Sequence, residues 1–290
     1  KPYYTAAVTV GKLLRYTMVH DFVAGDYMWT GIDYLGEANW PQRSAGCGCL
    51  DTCGFEKDAF YFYKSVWNQN EKFAYLCPHW NLKLEKGTVL PVICYTNCED
   101  AELFVNGRSF GMKSKGFPCY GMTERYGHFD RYRRPANTDD LFLSWDVPYE
   151  PGKIEVVGYH DGKEVCRYKV ETTGEAASIK LTVDKTSVDA DGRSIVQAEV
   201  RIVDSEGRLV FNACPELDFT LEGDAKIIGI DNGDPACHEQ WKETKGRHAF
   251  NGMAYAVIRA GQNKGELTLT VQASGVDAAI GKASVTISQK

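Results

Sequence analysis

Apolar residues recur at helical spacing in two stretches near the start of the chain. The first, LLRYTMVHDF, covers residues 13–22, and the second, EKDAFYFYKSVW, covers residues 56–67. Side chains three or four positions apart share one helix face, so both stretches are predicted to be amphipathic helices. Between them DYMWTG, residues 26–31, is predicted to be a short buried strand. Helix, strand, long loop and helix form an α/β pattern.

From about residue 76 the pattern changes to alternation of apolar and polar positions. The stretch TVLPVICYT, residues 88–96, has the period of two that is typical of a strand. Asn106-Gly107 and Asp161-Gly162 each separate two such stretches. Both positions of a tight hairpin turn need positive φ, which Asn, Asp and Gly tolerate best. Residues 76–173 are therefore predicted to form a β-sandwich.

Residues 174–290 repeat this pattern after a short linker, TTGEAA. Turn signals separate the strand-like stretches at DADG, DSEG and DNGD. The predicted strands are SIKLTV, IVQAEVRIVD, LDFTLEG, AYAVIRA, ELTLTVQA and KASVTIS. This spacing predicts a second β-sandwich.

The first 75 residues contain too few elements for a domain of their own. One strand cannot form a sheet, and its apolar faces need partners. Residues 1–75 are therefore predicted to be the tail of a larger α/β domain. Alone, they are expected to be poorly packed, to lie against the neighbouring sandwich, or to pair with a second copy of the chain as a homo-oligomer.

Charge narrows the range of partners. The chain has 33 basic and 39 acidic residues, a net charge of −6, which disfavours binding to a nucleic-acid polyanion. Residues 120–134, YGMTERYGHFDRYRR, are locally basic and aromatic, a pattern that can bind single strands, but one short segment does not outweigh the acidic background. No apolar run reaches the 18–20 residues or so of a membrane span.

The ten cysteines do not have the spacing of a disulfide framework. Cys47, Cys49 and Cys53 crowd one loop and resemble a metal-binding knuckle, but the paired CxxC spacing is missing. The DNGDP stretch at 231–235, followed by Cys, His and Glu, also offers metal ligands, although a tight turn explains it better. No metal site is predicted, and the cysteines are interpreted as small, half-buried thiols.

A series of motifs in a fixed order resembles a known family. GDYMWTGIDYLGE and GCLDTCGFEKDAFYFYKSVW are followed by PHWNL, YTNCEDAELFVNGRSFG, LSWDVPYEPG, VETTG, DADG and GIDNGDP. Together they resemble the C-terminal part of family 2 glycoside hydrolases, the group that contains β-galactosidases and β-glucuronidases. The resemblance covers nearly the whole chain. It implies a multidomain chain: the end of a (β/α)₈ barrel at 1–75, then immunoglobulin-like sandwiches at 76–173 and 174–290.

The resemblance also assigns candidate site residues. Barrel enzymes act at the C-terminal ends of their strands, so residues after Met28 would lie at the mouth of the active site. Trp29 would then form the floor of a sugar subsite, because an indole covers the apolar face of a pyranose; the alternative is a core Trp that closes the barrel end. Asp33, Tyr34 and Glu37 are the other candidates for substrate binding, and Asp33 and Glu37 could instead brace the loop.

The resemblance implies a retaining glycosidase that needs two carboxylates and no cofactor. In the family both are glutamates on earlier strands, so this chain is expected to hold no catalytic residue and to be inactive alone. The family suggests galactose as the sugar and the periplasm or cell envelope as the location. An insertion at about 112–140 is expected to lean over the barrel mouth or to be a solvated loop. The alternative function is a non-catalytic module of two sandwiches that binds glycans or proteins.

Overall fold

The computed structural model describes residues 10–11, 13–18, 20–114, 141–242 and 245–290. The chain divides into two compact units. The first comprises Lys1–Gly31 and Glu56–Thr172, and the second comprises Ile32–Phe55 and Thr173–Lys290. The segment Ile32–Phe55, which was predicted to belong with residues 1–75, is thus part of the compact unit that contains the last sandwich.

Strands dominate the described chain. In chain order they are β1 (Tyr34–Leu35), β2 (Ser44–Ala45), β3 (Ala74–Cys77), β4 (Val89–Thr96), β5 (Asp100–Val105), β6 (Arg108–Ser114), β7 (Leu143–Pro148), β8 (Lys153–His160), β9 (Lys163–Glu171), β10 (Ser178–Val183), β11 (Ser187–Val188), β12 (Ile195–Val203), β13 (Glu216–Glu222), β14 (Ala225–Asp231), β15 (Gly246–His248), β16 (Met253–Ala260), β17 (Gly265–Ala273) and β18 (Lys282–Gln289). A 3₁₀ helix, Gly275–Ile280, precedes β18.

Both predicted helices are present, but their ends differ from the predicted ones; residues 10–11, before the predicted start of the first helix, are also helical. Residues 13–18 are helical, but the chain has left the helix before residues 21–22, which form a turn. The second helix, α1, spans Asp58–Trp67, with Asp58 in its first turn, where the helix dipole favours an acidic residue. Phe62 on α1 is buried against Tyr95 of β4, with ring centroids 5.6 Å apart. This apolar contact holds α1 against a strand of the first sandwich.

The first unit contains two antiparallel sheets. One has the strand order β3-β4-β7 and the other β6-β5-β8-β9. Their inward-facing residues form one core around the fully buried Trp80 and Leu103. The indole N–H of Trp80 donates to the carbonyl of Glu150 at 2.9 Å, which satisfies the polar atom of this buried side chain. The predicted sandwich after residue 76 is confirmed as a β-rich fold.

The two hairpin predictions in this unit are confirmed. Asn106 and Gly107 connect β5 to β6 with φ of 50° and 82°, and Asp161 and Gly162 connect β8 to β9 with φ of 50° and 70°. All four turn residues lie in the left-handed region, as a two-residue turn between twisted strands requires. Short sequence signals were sufficient here because the constraint on the backbone is local.

The second unit also contains two sheets, with orders β10-β12-β16-β14 and β11-β18-β17-β13-β15. Along β12 every second residue from Val196 to Ile202 is buried, as the sequence pattern predicted, and Val203 at the end of the strand is buried as well. The alternating residues contribute to a single core that also includes Phe219. Most pairs are antiparallel, while β11 pairs with β18 in parallel.

No part of a (β/α)₈ barrel is evident in the described chain. The predicted strand at 26–31 is wrong: residues 23–28 have no regular structure, and no strand pairs with them in the described ranges. The physical reason is that an extended segment needs a hydrogen-bonded neighbour to become a strand. Of the helices described, none combines the length and the apolar character that crossing a membrane requires.

Candidate functional site

Trp29 lies in the first unit, in the irregular segment after the first helix. Its side chain is 73% exposed, and Tyr27, two residues earlier, is fully exposed. The Thr17 hydroxyl donates to Asp26 Oδ2 at 2.7 Å, which ties the start of this segment to the helix. Most of the indole surface is therefore open, whereas the alternative interpretation required a core Trp.

Asp33 lies in the second unit and is buried. Its Oδ1 accepts a hydrogen bond from the backbone N–H of Gly48 at 2.6 Å, and its own N–H donates to the carbonyl of Leu50 at 2.9 Å. A Cβ on Gly48 would lie 2.3 Å from the Asp33 nitrogen, so only glycine fits at this approach. These contacts make Asp33 a brace between the two ends of the loop.

Tyr34 and Glu37 form a local pair in the same unit. The Tyr34 hydroxyl donates to Glu37 Oε2. Tyr34 is half-buried and pairs with Ala45 across the short β1–β2 ladder, while Glu37 is exposed and has a φ of 48°. The pair presents a phenol and a carboxylate at the surface of the loop, and both groups can hydrogen-bond a hydroxylated ligand.

A buried charge network that the sequence analysis missed joins this loop to the last sandwich. Asp231, at the end of β14, accepts from Arg247 on β15 and from Arg43 in the loop, the latter at 3.1 and 3.2 Å. The Arg247 side chain has no exposed surface. Its Nη1 donates to the Glu239 carbonyl at 2.8 Å, and its Nε lies 3.6 Å from Glu239 Oε2. Within the second unit, the network joins the segment Ile32–Phe55 to strands β14 and β15.

A carboxylate and a histidine extend this network towards the surface. The Glu239 carboxylate contacts the His248 ring and accepts from the His248 backbone N–H at 3.1 Å. Burial raises the pKa of Glu239, but the hydrogen bonds from His248 and the charge of Arg247 outweigh burial and hold the pKa below its usual value. Glu239 is therefore ionised at neutral pH and balances part of the charge of Arg247.

Asp51 seals the other end of the loop. Its Oδ1 accepts from the backbone N–H groups of Cys53 and Phe55 at 2.8 and 3.0 Å. A Cβ on Gly233, whose φ is 75°, would lie 2.0 Å from Asp51 Oδ2. The GIDNGDP stretch thus contains a glycine turn that admits the Asp51 carboxylate.

An exposed aromatic pair lies beside this turn. Trp40 is 82% exposed, and its ring centroid lies 4.9 Å from that of His238. The His238 ring is held in turn by a 2.7 Å contact between its Nε2 and the carbonyl of Pro41.

Candidate metal ligands converge at a different place from the one that the sequence suggested. Within the described ranges, the group of three whose ligand atoms approach within 4.8 Å is Glu99, His160 and Asp161, at an exposed turn. Cys53 lies in the loop whose cysteines resemble a metal-binding knuckle, and burial raises the pKa of its thiol, which disfavours the thiolate that a metal needs. The insertion at 112–140, with the basic stretch 120–134, lies outside the described residues from 115 onwards.

Family models match one segment in each of the two sandwiches. Residues 179–281 match the glycoside hydrolase family 2 C-terminal domain 5, and residues 87–166 match a domain of unknown function, DUF4982. Each match falls within one of the two sandwiches. The second sandwich therefore has a family assignment of its own.

Relatives match most of this chain but only part of their own length. A β-galactosidase, BoGH2A, from Bacteroides ovatus is 35% identical over 279 residues, which is 93% of this chain and 29% of that enzyme. A β-glucuronidase from Formosa agariphila is 30% identical over 69% of this chain and 20% of its own length. A crystal structure of a β-glycosidase from Bacteroides vulgatus has a TM-score of 0.77 and 31% identity, covering 91% of this chain and 30% of that one.

The chain thus spans less than a third of these relatives. The matched fold, the family 2 domain in the second sandwich and the ordered motifs all lead to the same assignment. This protein chain is homologous to the C-terminal part of family 2 glycoside hydrolases.

Proposed function

We propose that this chain is the C-terminal part of a retaining glycoside hydrolase of the β-galactosidase type, in which the segment around Trp29 lies at the catalytic site. The observation that carries the proposal is the exposed indole of Trp29 in a chain homologous to such enzymes. A pyranose has a face of C–H groups, and a rigid, open indole covers that face at a small cost in conformational entropy. Trp29 would form the floor of the sugar subsite.

The reaction itself would use residues outside this chain. A retaining glycosidase needs an acid/base and a nucleophile whose carboxyl groups are about 5–5.5 Å apart on either side of the scissile bond. Asp33 is buried and holds Gly48, and Glu37 accepts from Tyr34, so both carboxylates already serve the loop. We therefore assign them no catalytic role and expect no hydrolysis by this chain alone.

The three loop candidates divide according to their surroundings. Asp33 is buried, so we assign it to bracing the loop. Tyr34 and Glu37 reach the surface as a hydrogen-bonded pair and remain proposed contacts for sugar hydroxyls. Galactose is the proposed sugar, and the periplasm or cell envelope is the proposed location, which cell fractionation would test.

The test is the effect of Trp29→Ala on the full-length enzyme that contains this chain. Without the indole, one face of the bound sugar is no longer covered, which removes about 2 kcal/mol of stabilisation from apolar burial. The kcat/KM for a nitrophenyl galactoside should therefore fall about 30-fold. Trp29→Phe should retain part of the activity because a smaller ring still covers the sugar. Trp67→Phe is the matched control: Trp67 is 59% exposed on α1 and should leave kcat/KM unchanged.

Equal kinetics for Trp29→Ala and the control would overturn the role of Trp29. The full-length protein could instead bind a glycan without hydrolysing galactosides, glucuronides or other pyranosides. That result would support a non-catalytic binding module. Hydrolysis by the 290-residue chain alone would refute the proposal that the catalytic residues lie outside this chain.

A further inference from the structure

Two thiols meet inside the first sandwich. Cys98 lies in the turn between β4 and β5, and Cys166 lies on the edge strand β9. Their sulfur atoms are 3.5 Å apart, although 68 positions separate them in the sequence. We propose that Cys98 and Cys166 form a dithiol site that a hydroperoxide oxidises to a disulfide.

The fold brings the two sulfurs together at a glycine. Cys166 is the register partner of Gly158 on β8, and Gly158 also pairs with Ala101 at the start of β5, close to Cys98. A Cβ on Gly158 would lie 2.6 Å from Cys166 Sγ and 2.7 Å from Cys98 Sγ. Any side chain at this position would therefore push into both sulfurs. Because glycine has no side chain, the two sulfur atoms can come into contact.

Burial separates this pair from the exposed thiols. Cys98 has no exposed surface, and Cys166 is half-buried and faces inward with Tyr168 and Val170 along β9. A bulky oxidant has no direct approach to Cys98, so the proposal specifies a small one. The edge position of β9 leaves Cys166 partly accessible from solvent.

The charges around Cys98 favour its thiolate. The Lys72 ammonium is held nearby, where it donates to the Asn97 carbonyl at 3.2 Å. Either sulfur of the pair can donate the proton in their 3.5 Å contact. The thiolate is the form of cysteine that attacks peroxide.

The reaction balances in two steps. The Cys98 thiolate attacks one oxygen of the hydroperoxide, so that the O–O bond breaks, a sulfenic acid forms on Cys98 and hydroxide or alkoxide leaves. The Cys166 sulfur then attacks the Cys98 sulfur, the S–O bond breaks, and water leaves with the Cys166 proton. Overall, two thiols lose two electrons to the peroxide, which is reduced to water or to water and an alcohol.

The geometry requires only a small movement. A disulfide has an S–S length of about 2.05 Å, so the two sulfurs must approach by about 1.5 Å from their 3.5 Å separation. The bond would close a long loop between the turn after β4 and the edge strand β9. It is therefore expected to raise the melting temperature of the protein.

The test is peptide mapping of the intact protein that carries this chain. The folded protein is treated with hydrogen peroxide, unfolded, alkylated and digested without reductant. The expected result is a peptide pair joined at Cys98 and Cys166, about 2 Da lighter than the two thiol peptides, which disappears after reduction. This measurement needs no variant, so it stands even where a substitution impairs folding.

Matched variants identify the order of the steps. In Cys166→Ser the sulfenic acid on Cys98 has no partner, so dimedone should label Cys98. Cys98→Ser should abolish both the crosslink and the label. Cys214→Ser removes an exposed cysteine of the other unit and should leave the crosslink unchanged.

Two results would overturn the proposal. One is survival of both thiols, or direct conversion of Cys98 to sulfinic acid, in the unaltered protein. The other is a crosslink that joins either residue to a different cysteine, such as Cys94.

Discussion

Replacing Asp231 tests whether the buried charge network stabilises the second unit. Asp231→Asn keeps the size of the side chain but removes its charge and places an amide where two guanidinium groups converge. Glu239 is then the remaining charged partner of Arg247, through the backbone carbonyl at 2.8 Å and the ion pair at 3.6 Å. The variant is expected to destabilise the second unit.

The magnitude follows from the surroundings of the two charges. Removing one partner of a fully buried pair costs about 3–5 kcal/mol, whereas an exposed pair contributes about 0–1 kcal/mol. The Arg247 side chain has no exposed surface, but that of Asp231 is 24% exposed, and Glu239 still compensates part of the charge. We therefore expect a loss of about 2–3 kcal/mol.

Hydrogen exchange read peptide by peptide is the suitable assay, because it reports the second unit within the intact protein. A loss of about 2–3 kcal/mol corresponds to roughly 30- to 150-fold faster exchange in the core strands. Peptides covering β12, β16 and β17 should show the change, and those of the first unit should not. Asp218→Asn is the matched control, since Asp218 is an exposed position on β13.

A second substitution separates the charge from the packing. In Asp231→Asn combined with Arg247→Met, the fully buried Arg247 guanidinium is removed together with its partner. The double variant should therefore be less unstable than the sum of the two single variants predicts. The reasoning is refuted if Asp231→Asn exchanges no faster than Asp218→Asn, or if the two single effects are simply additive.

Three further predictions concern single positions. The pKa of Asp204 is about 2, because the Arg208 ion pair and backbone N–H donors outweigh burial. The stabilisation from this carboxylate is complete above the unfolded pKa near 3.9 and is lost as the pH falls towards 2. In an acid titration, the stability of Asp204→Asn should therefore decline less steeply than that of the parent protein. Gly48→Ala should cost about 1–3 kcal/mol, since the Cβ meets backbone atoms of Ile32 and Asp33, and hydrogen exchange across 32–55 should rise; unchanged exchange would contradict the close approach. In Gly107→Ala the added Cβ meets no atom within 4 Å, but the residue must keep a φ of 82°. The substitution should therefore cost only the free energy of a left-handed backbone, about 1–2 kcal/mol. The first unit should unfold at a lower denaturant midpoint, and a midpoint equal to that of the parent would contradict this prediction.

The strands and turns of both sandwiches were predictable because their signals are local. Alternation along β12 places every second side chain in the core, and the Asn106-Gly107 turn requires positive φ at two consecutive positions. Helix α1 was predictable for the same reason, since its apolar stripe repeats within ten residues. Such patterns need no knowledge of distant parts of the chain.

The candidate site was only partly predictable. Trp29, Tyr34 and Glu37 were candidates from the motif alone, and their roles stay predictions. The burial of Asp33 depends on Gly48, fifteen positions away. The strand around residue 26 was wrongly predicted because strand formation needs a partner, which an apolar stretch alone does not supply.

The sequence by itself determined the two β-sandwiches, their hairpins, helix α1 and the kinship with family 2 glycoside hydrolases. Only the tertiary structure decided that Ile32–Phe55 packs with the last sandwich, through an Arg43–Asp231 contact that spans 188 positions. It alone decided that Cys98 and Cys166 meet over Gly158. The physical reason is that backbone conformation follows from neighbouring residues, whereas charge pairing and thiol contact depend on which distant side chains the folded chain brings within a few ångströms.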